Sequence, residues 1–414
     1  MIIEIFLCMK EQPTLIVLSH NLSPHKMKET NMNKKIVSLT LGGLGIGITE
    51  FVIMGLLPDI ASSLHVSIPQ AGHFIAAYAL GVVVGAPLLV AFSGRIPPKK
   101  LLMLLMVMFT VFNLSSAFAT NYYALILTRF LSGLPHGAFF GVGAVVASRI
   151  AEKGKESQAI SQMFAGLTLA NLLGVPIGTY IGHNFSWHYT FILIGIVGII
   201  TIFSIKAWLP ELEQKEARSI KSEFSYLKHL NSWLIIAIIA IGTGGLFCWI
   251  SYIAPLFIHV TNFEANDVSY LMAFAGLGMF VGNFFGGKLA DKFRPVTATL
   301  LVFIGMMLSL ILVHFTAEYK IATVIMTFIT GMMAFACIAP IQILVITSAK
   351  NSEMLAAAVS QASFNMANAL GAFLGGLPLI YGFGYTSPEF VGVGMVFIGV
   401  LLTLLLMKRI TKPS

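Results

Sequence analysis

Long apolar segments separated by short polar loops are the main pattern along this chain. Twelve of these segments reach about 20 residues, the length that a helix needs to cross a hydrocarbon core of roughly 30 Å. They cover residues 36–57, 70–93, 101–118, 124–147, 158–182, 190–208, 232–258, 268–287, 296–316, 321–347, 354–381 and 388–407. The pattern therefore predicts an all-α membrane protein with twelve transmembrane helices.

The twelve segments form two similar blocks of six. The first spans of the two blocks begin near 36 and 232, an offset of 196 (232 − 36), and Gly94 and Asp291 in corresponding loops are 197 residues apart (291 − 94). Two pseudo-symmetric six-helix bundles are therefore expected. Fused repeats of this kind build alternating-access transporters, with the substrate near the midplane at the repeat interface. The predicted units are a poorly ordered tail over 1–33, an N-terminal bundle over 34–208, a cytoplasmic linker over 209–231 and a C-terminal bundle over 232–414.

The positions of the basic residues predict the orientation of the chain. Only 10% of the residues are charged, whereas soluble domains carry about 25%. Of the 25 Lys and Arg residues, all but Arg129 and Lys320 fall in stretches on one predicted side. Short cytoplasmic loops accumulate Lys and Arg, so we expect a multi-pass protein of the bacterial cytoplasmic (inner) membrane with both termini in the cytoplasm.

Composition and motifs also limit the function. The net charge of +8 is scattered over short loops rather than gathered on one face, so no nucleic-acid partner is expected. The three cysteines lie far apart without CxxC spacing, which gives no metal or disulfide pattern. Walker, HExxH and GxSxG motifs are missing from any credible context. We therefore expect neither enzyme activity nor a cofactor, and a monomer whose partners are a small-molecule substrate, protons and the lipid bilayer.

Glu50 is the one acidic residue that lies well within a predicted span. An unpaired carboxylate at that depth costs several kcal/mol, so it faces a cavity, binds a partner or takes up a proton. Gly43, Gly47 and Met54 share its helical face through their 3–4 spacing. Glu50 is thus a candidate proton carrier with Met54 in the cavity beside it. A structural hydrogen bond to a neighbouring helix is the alternative.

Arg129 is the charge most suited to act on Glu50. It lies on the fourth span, and His136 and Phe140 follow on the same helical face. We expect Arg129 to take part in proton coupling, and His136 and Phe140 to line the substrate cavity. His136 could titrate near neutral pH, although a single histidine in a helix bundle is more often a packing residue.

Further polar and aromatic residues are candidates for the substrate cavity. Gln361, Asn365 and Asn368 form a polar stripe on span 11, which either lines the pathway or ties spans together through amide hydrogen bonds. Aromatic residues could stack on a substrate or simply pack. The candidates chosen for the cavity, besides Met54, His136 and Phe140, are Tyr78, Trp249, Tyr252, Gln342, Gln361 and Asn365.

Several runs resemble the major facilitator superfamily over residues 34–407. Residues 129–133 (RFLSG) resemble its span-4 motif, and residues 171–179 (NLLGVPIGT) its span-5 antiporter motif. The run 50–58 (EFVIMGLLP) looks like the twelve-span drug:proton antiporter family. More narrowly, residues 71–87 and 133–155 resemble the AraJ-type arabinose-efflux permeases. The resemblance implies the major facilitator fold.

The resemblance also implies a set of gating residues. They are Gly174, Pro176 and Gly178 in the kinked span 5, Arg95 in the loop between spans 2 and 3, and Asp291 and Lys292 after span 8. Two positions depart from the family pattern. Gly94 stands where the first loop normally carries Asp, and Val175 separates Gly174 from Pro176.

The function expected from this resemblance is proton-coupled efflux of a small sugar-like or drug-like molecule. Glu50 would exchange a proton against the substrate while the two bundles rock about the central site. The alternatives are a proton symporter that imports a sugar or nucleoside, and a transport-inactive receptor or assembly factor.

Overall fold

The computed structural model describes residues 24–93, 96–153, 156–212, 227–349 and 353–411. Twelve of its helical segments are long and apolar enough to cross a membrane, which confirms the predicted number of spans. The helices of the first bundle are span 1 (Pro24–Gly55), a short helix (Leu57–Ser63), span 2 (Ile68–Ser93), span 3 (Pro98–Ala117), span 4 (Tyr122–Ile150), span 5 (Glu156–Leu169 and Val175–Asn184) and span 6 (Trp187–Trp208).

The second bundle repeats this order. Its helices are span 7 (Leu230–Ala237, Gly244–Ser251 and Ile253–His259), span 8 (Asp267–Lys292), span 9 (Pro295–Thr316), span 10 (Lys320–Ala336 and Ile338–Ser348), span 11 (Glu353–Ile380) and span 12 (Ser387–Thr411). Span 1 already begins at Pro24, inside the predicted tail. Residues 1–23 and most of the predicted linker lie outside the described residues, so the division of the chain into units stays a prediction.

Proline explains where several spans are interrupted. The ring removes the N–H that would bond the carbonyl four residues earlier. Helical segments end at Ser251 and Ala336, four residues before Pro255 and Pro340. In span 5 a π-helical turn over Ala170–Gly174 precedes Pro176. Another π-helical turn, Ile238–Gly242, interrupts span 7.

Glycines bring the helices of each bundle into backbone contact, and they do so at equivalent places. A Cβ on Gly81 would collide with the Phe130 carbonyl of span 4, and one on Gly278 with the Phe328 carbonyl of span 10. The two glycines are 197 residues apart (278 − 81) and their partners 198 (328 − 130). Close packing through small residues is how helices associate in lipid. The predicted internal repeat therefore has a counterpart in the helix contacts.

Two helix pairs hold the bundles together. Span 2 of the first bundle packs on span 11, and span 5 packs on span 8 of the second. In the first pair, Tyr252 of span 7 lies between Gly72 of span 2 and Gly376 of span 11. In the second pair, Gly276 of span 8 lies against the Asn171 carbonyl in the π-helical turn of span 5. Because spans 2 and 8 correspond in the repeat, as do spans 5 and 11, the interface is pseudo-symmetric.

Candidate functional site

Glu50 lies at the contact between the two bundles. It is only 6% exposed, and its Oε1 accepts a hydrogen bond of 3.4 Å from Nδ2 of Asn368 on span 11. Gly47, one turn earlier, packs against Ala170 of span 5, so close contact with span 5 fixes this part of span 1. The carboxyl of the first bundle is thus bound by an amide of the second.

Arg129 is fully buried in the first bundle and is bound by uncharged groups. Its Nη1 donates to the Thr49 hydroxyl at 3.0 Å, and its Nε donates to the Phe74 carbonyl at 3.4 Å. The guanidinium carbon lies 4.3 Å from the centre of the Tyr78 ring. Such a cation–π contact partly compensates for the loss of hydration.

Glu50 and Arg129 are neighbours without direct pairing. No ion pair forms between these two described residues, although their charges are close enough to interact. Arg129 Nη2 has no hydrogen-bond partner among the described residues. Each charge is therefore satisfied by neutral groups, with one donor of Arg129 unused.

The other predicted residues of the first bundle form a packed aromatic cluster. The Tyr78 hydroxyl and His136 Nδ1 are 3.0 Å apart and share a hydrogen bond. The rings of His136 and Phe140 are 5.4 Å apart, and Phe164 stacks on Phe140 at 4.8 Å. Tyr78, His136, Phe140 and Met54 are all at most 2% exposed. The cluster lies beside Arg129 and closes one side of the site.

The predicted residues of the second bundle lie in three separate places. Trp249 of span 7 lines a small cavity together with Val313 of span 9 and Thr327 of span 10. Tyr252 donates to the Ala372 carbonyl at 2.6 Å, at the interface between the bundles. The half-buried Gln342 and Gln361 and the buried Asn365 lie further along spans 10 and 11. Asn365 Nδ2 donates to the Gln361 carbonyl at 3.1 Å.

The predicted gating residues are also dispersed. Gly174 and Gly178 of span 5 pack on Ile48 and Val52 of span 1, within the first bundle. Pro176 follows the π-helical turn whose Asn171 carbonyl contacts span 8. Asp291 and Lys292 are exposed at the end of span 8. Arg95 lies outside the described residues.

Four polar residues of the structure were not among the predicted site residues. Asn368, the partner of Glu50, was noted only as part of the polar stripe on span 11. The sequence gives no signal for Thr49 and Asn113, because residues with hydroxyl and amide groups are common in membrane spans. Glu389 is only 2% exposed, and its Oε2 has no partner among the described residues. It stands at the start of the predicted span 12, where an exposed acid is ordinary, so its burial could be seen only from the packing of span 12 in the bundle.

Comparison with known proteins assigns this architecture to a family. Residues 39–359 match the sequence profile of the Major Facilitator Superfamily. The chain belongs to this superfamily.

Individual relatives cover nearly the whole chain of this superfamily member. AraJ of Escherichia coli strain K12 is 39% identical over 354 residues, which are 86% of this chain and 90% of AraJ. YdhP, an inner membrane transport protein of the same strain, is 37% identical over 92% of this chain and 98% of its own. The uncharacterized MFS-type transporter YtbD of Bacillus subtilis is 33% identical over 90% of this chain and 96% of its own.

Solved structures show the same fold at much lower identity. The xylose transporter XylE of E. coli, in a partially occluded inward-open conformation, aligns with a TM-score of 0.73 at 16% identity over 93% of this chain and 99% of XylE. A bacterial homologue of the human lysosomal transporter Spinster aligns with a TM-score of 0.70 at 15% identity, over 91% of this chain and 97% of its own. Together with the match to the superfamily profile and the curated relatives, the twelve spans make this chain a multi-pass secondary transporter of small molecules.

Proposed function

We propose that this transporter is an antiporter of the inner membrane, which exports a small sugar-like or drug-like molecule in exchange for protons. The observation that carries the proposal is the buried hydrogen bond between Glu50 and Asn368, which joins the two bundles. Intramembrane carboxyl groups are characteristic of proton relays in pumps and transporters. The inner-membrane location rests on the relative YdhP, which is named for it.

Protonation of Glu50 would change the contact between the bundles. An ionised Glu50 can only accept, so it uses the Asn368 Nδ2 donor. A protonated Glu50 can also donate, and Asn368 Oδ1 is an acceptor without a partner among the described residues. Taking up a proton therefore changes which atoms join spans 1 and 11. If the two conformations of the transporter bind this proton with different affinity, protonation shifts the equilibrium between them.

The substrate class rests on the resemblance to the drug:proton antiporters and the AraJ-type efflux permeases. An amphipathic molecule suits the contact between the bundles, because Phe51, the residue after Glu50 on span 1, stacks on Phe247 of span 7 with ring centres 6.4 Å apart. Sites of this kind are mostly apolar with a few placed polar groups. One acid at the site is compatible with a cationic compound but does not require one.

A transport assay with the variant Glu50→Gln tests the proposal. Everted membrane vesicles receive a pH gradient, and a panel of sugars and lipophilic cations is screened for compounds that dissipate it. We expect at least one compound to release protons with the native protein and none to do so with Glu50→Gln. A variant that still couples fully would refute the role of Glu50.

Glu389→Gln is the matched control for this experiment. Glu389 is an equally buried acid, but span 12 packs on spans 7, 9 and 11 inside the second bundle. The same chemical change there should leave coupling intact. Equal loss in both variants would mean that coupling is not specific to Glu50.

The two alternatives predict different results in the same vesicles. A symporter would move the compound in the same direction as the proton. A transport-inactive receptor would show no substrate-dependent proton flux with any compound. The direction of flux under an imposed gradient therefore separates export from import.

A further inference from the structure

Thr49 is the residue between the two charges of the site. It precedes Glu50 on span 1, so its side chain points about 100° away from that of Glu50 around the helix. Its hydroxyl donates to Asn113 Oδ1 of span 3 and accepts from Arg129 Nη1 of span 4. Asn113 Nδ2 in turn donates to the Phe109 carbonyl at 2.8 Å, which fixes the amide. Thr49 therefore uses its one proton on Asn113 and offers its oxygen to Arg129.

This chain of hydrogen bonds determines where the guanidinium lies. Arg129 is fully buried and stays charged, yet among the described residues it has no carboxylate partner. A buried arginine that keeps its charge is attracted to a nearby carboxylate, because the low-dielectric interior screens the two charges weakly. Here the bond to Thr49 and the Tyr78 ring hold the guanidinium to one side, and Nη2 remains unused.

We infer that Thr49 is a positioning residue that holds Arg129 away from Glu50, so that Glu50 stays free to take up a proton and to bind Asn368. This inference rests on the proposed role of Glu50 in proton coupling. Without the Thr49 hydroxyl, Arg129 loses its Nη1 partner, and both terminal nitrogens are then free to turn toward the Glu50 carboxylate, the acid whose charge acts on the guanidinium. An arginine in contact with a carboxylate favours its ionised form by about one to three pH units.

The groups that act on Glu50 are few, which makes the effect measurable. Among the described residues, Arg129 of span 4 and Tyr78 of span 2 interact electrostatically with its carboxyl. His136 lies behind Tyr78 and shares a hydrogen bond with it. Of these three residues, only Arg129 is bonded to Thr49, so a substitution at Thr49 moves Arg129 and leaves Tyr78 and His136 in place.

Infrared titration of the Glu50 carboxyl tests the inference without a known substrate. Purified protein in lipid nanodiscs is titrated with acid, and the C=O stretching band that Glu50→Gln removes is followed. We expect Thr49→Val to lower the midpoint pH of this band by about one to three units. Thr49→Ser keeps the hydroxyl and should retain the native midpoint.

A substitution of another threonine, Thr110 in span 3, serves as the control. The Thr110 hydroxyl donates to the Met106 carbonyl of its own helix at 2.7 Å, so Thr110→Val makes the same chemical change without affecting Arg129. Its midpoint should equal the native one. Thr49→Ala is the second deletion of the hydroxyl and replaces Thr49→Val if the valine variant does not fold.

Each outcome decides the inference. A native midpoint in Thr49→Val, or the same shift in Thr49→Ser as in Thr49→Val, overturns the positioning role while the proposed function stands. A native protein without any titrating band that Glu50→Gln removes overturns both, because Glu50 then takes up no proton. A shift confined to Thr49→Val and Thr49→Ala supports the inference.

Discussion

Asp59 and His183 show how a partly buried carboxyl responds to its surroundings outside the spans. Asp59 follows span 1 in the short helix, and its Oδ1 lies 2.8 Å from His183 Nδ1 at the end of span 5. Burial raises the pKa of the Asp59 carboxyl above its ordinary value, and the hydrogen bond from His183 opposes this only in part. The folded protein therefore binds the Asp59 proton more tightly than the unfolded chain does.

The variant Asp59→Asn tests this raised pKa. A group whose pKa is raised by folding contributes stability below its ordinary pKa of 3.8, and this stability is lost as the pH rises through the raised value. Asparagine has no charge to bury and can still accept from His183. We expect the variant to match the native melting temperature near about pH 4 and to exceed it modestly near about pH 8.

The control for Asp59→Asn is the exposed acid Glu318. Glu318→Gln makes the same change in the loop between spans 9 and 10, where the side chain is exposed, so it should leave the melting temperature unchanged at both pH values. A lower melting temperature for Asp59→Asn at the higher pH would contradict the prediction. It would mean that the ionised pair with His183 stabilises the native protein.

Residue types could be predicted at the site, whereas their partners could not. Glu50 and Arg129 stand out because charges inside apolar segments need a reason. Asn368 could be recognised as part of a polar stripe, but its bond to Glu50 joins residues 318 positions apart. Periodicity identifies the faces of one helix, but it does not show which face of a second helix packs against them. The pairing of Glu50 with an amide rather than with Arg129 therefore required the packed structure.

At the scale of helices, the glycines at helix contacts fall into two kinds. Gly174 and Gly178 face span 1 within one bundle, so they fix the shape of that bundle. Gly72 and Gly276 face the opposite bundle, so their contacts must change when the bundles move. The sequence does not distinguish the two kinds, because the position of a glycine in a span does not show which helix packs against it.

Gly72 and Gly376 form the two walls of the slot that holds Tyr252. A Cβ on either glycine would collide with the Tyr252 hydroxyl. Gly72 belongs to the first bundle, whereas Gly376 and Tyr252 both belong to the second and move together. Near the slot, His73 of span 2 faces Phe373 of span 11, with ring centres 6.1 Å apart. The slot therefore closes the interface at the predicted outer ends of the spans.

The variant Gly72→Ala should open this closed end, whereas Gly376→Ala should not. Overpacking costs about 1–3 kcal/mol, which is about a 5- to 150-fold change in the ratio of two states. In Gly72→Ala the cost applies only while the bundles are in contact, so the open state gains. In Gly376→Ala the collision persists in both states and leaves the ratio nearly unchanged.

Spin labels at Gln70 and Tyr381 report this change. Both residues are exposed, at the start of span 2 and after the end of span 11. A longer distance should gain population in Gly72→Ala and not in Gly376→Ala. Identical distance distributions in the two variants would show that Tyr252 does not close the interface.

For the whole molecule, the repeat accounts for the architecture better than any single motif. Spans 2 and 4, 3 and 6, and 1 and 5 pack together in the first bundle, and spans 8 and 10, 9 and 12, and 7 and 11 do so in the second. Apolar periodicity and the offset of the two blocks were sufficient to predict twelve spans in two bundles. Apolar periodicity does not register the π-helical turns in spans 5 and 7, because a one-residue shift within a helix leaves an apolar segment apolar.

Orientation in the membrane is the property on which the direction of transport depends. The basic loops predict cytoplasmic termini, which places Ser62 and Lys320 outside and Lys153 inside, and all three are exposed. Cysteines at these positions can be labelled selectively after Cys8→Ser, because Cys248 and Cys337 are buried.

In intact spheroplasts, an impermeant maleimide should label Ser62→Cys and Lys320→Cys, and should label Lys153→Cys only after lysis. The reverse pattern would invert the chain, and the slot around Tyr252 would then close the cytoplasmic end. Uniform labelling of all three before lysis would contradict the arrangement of the spans, because Ser62 and Lys153 are separated by spans 2, 3 and 4.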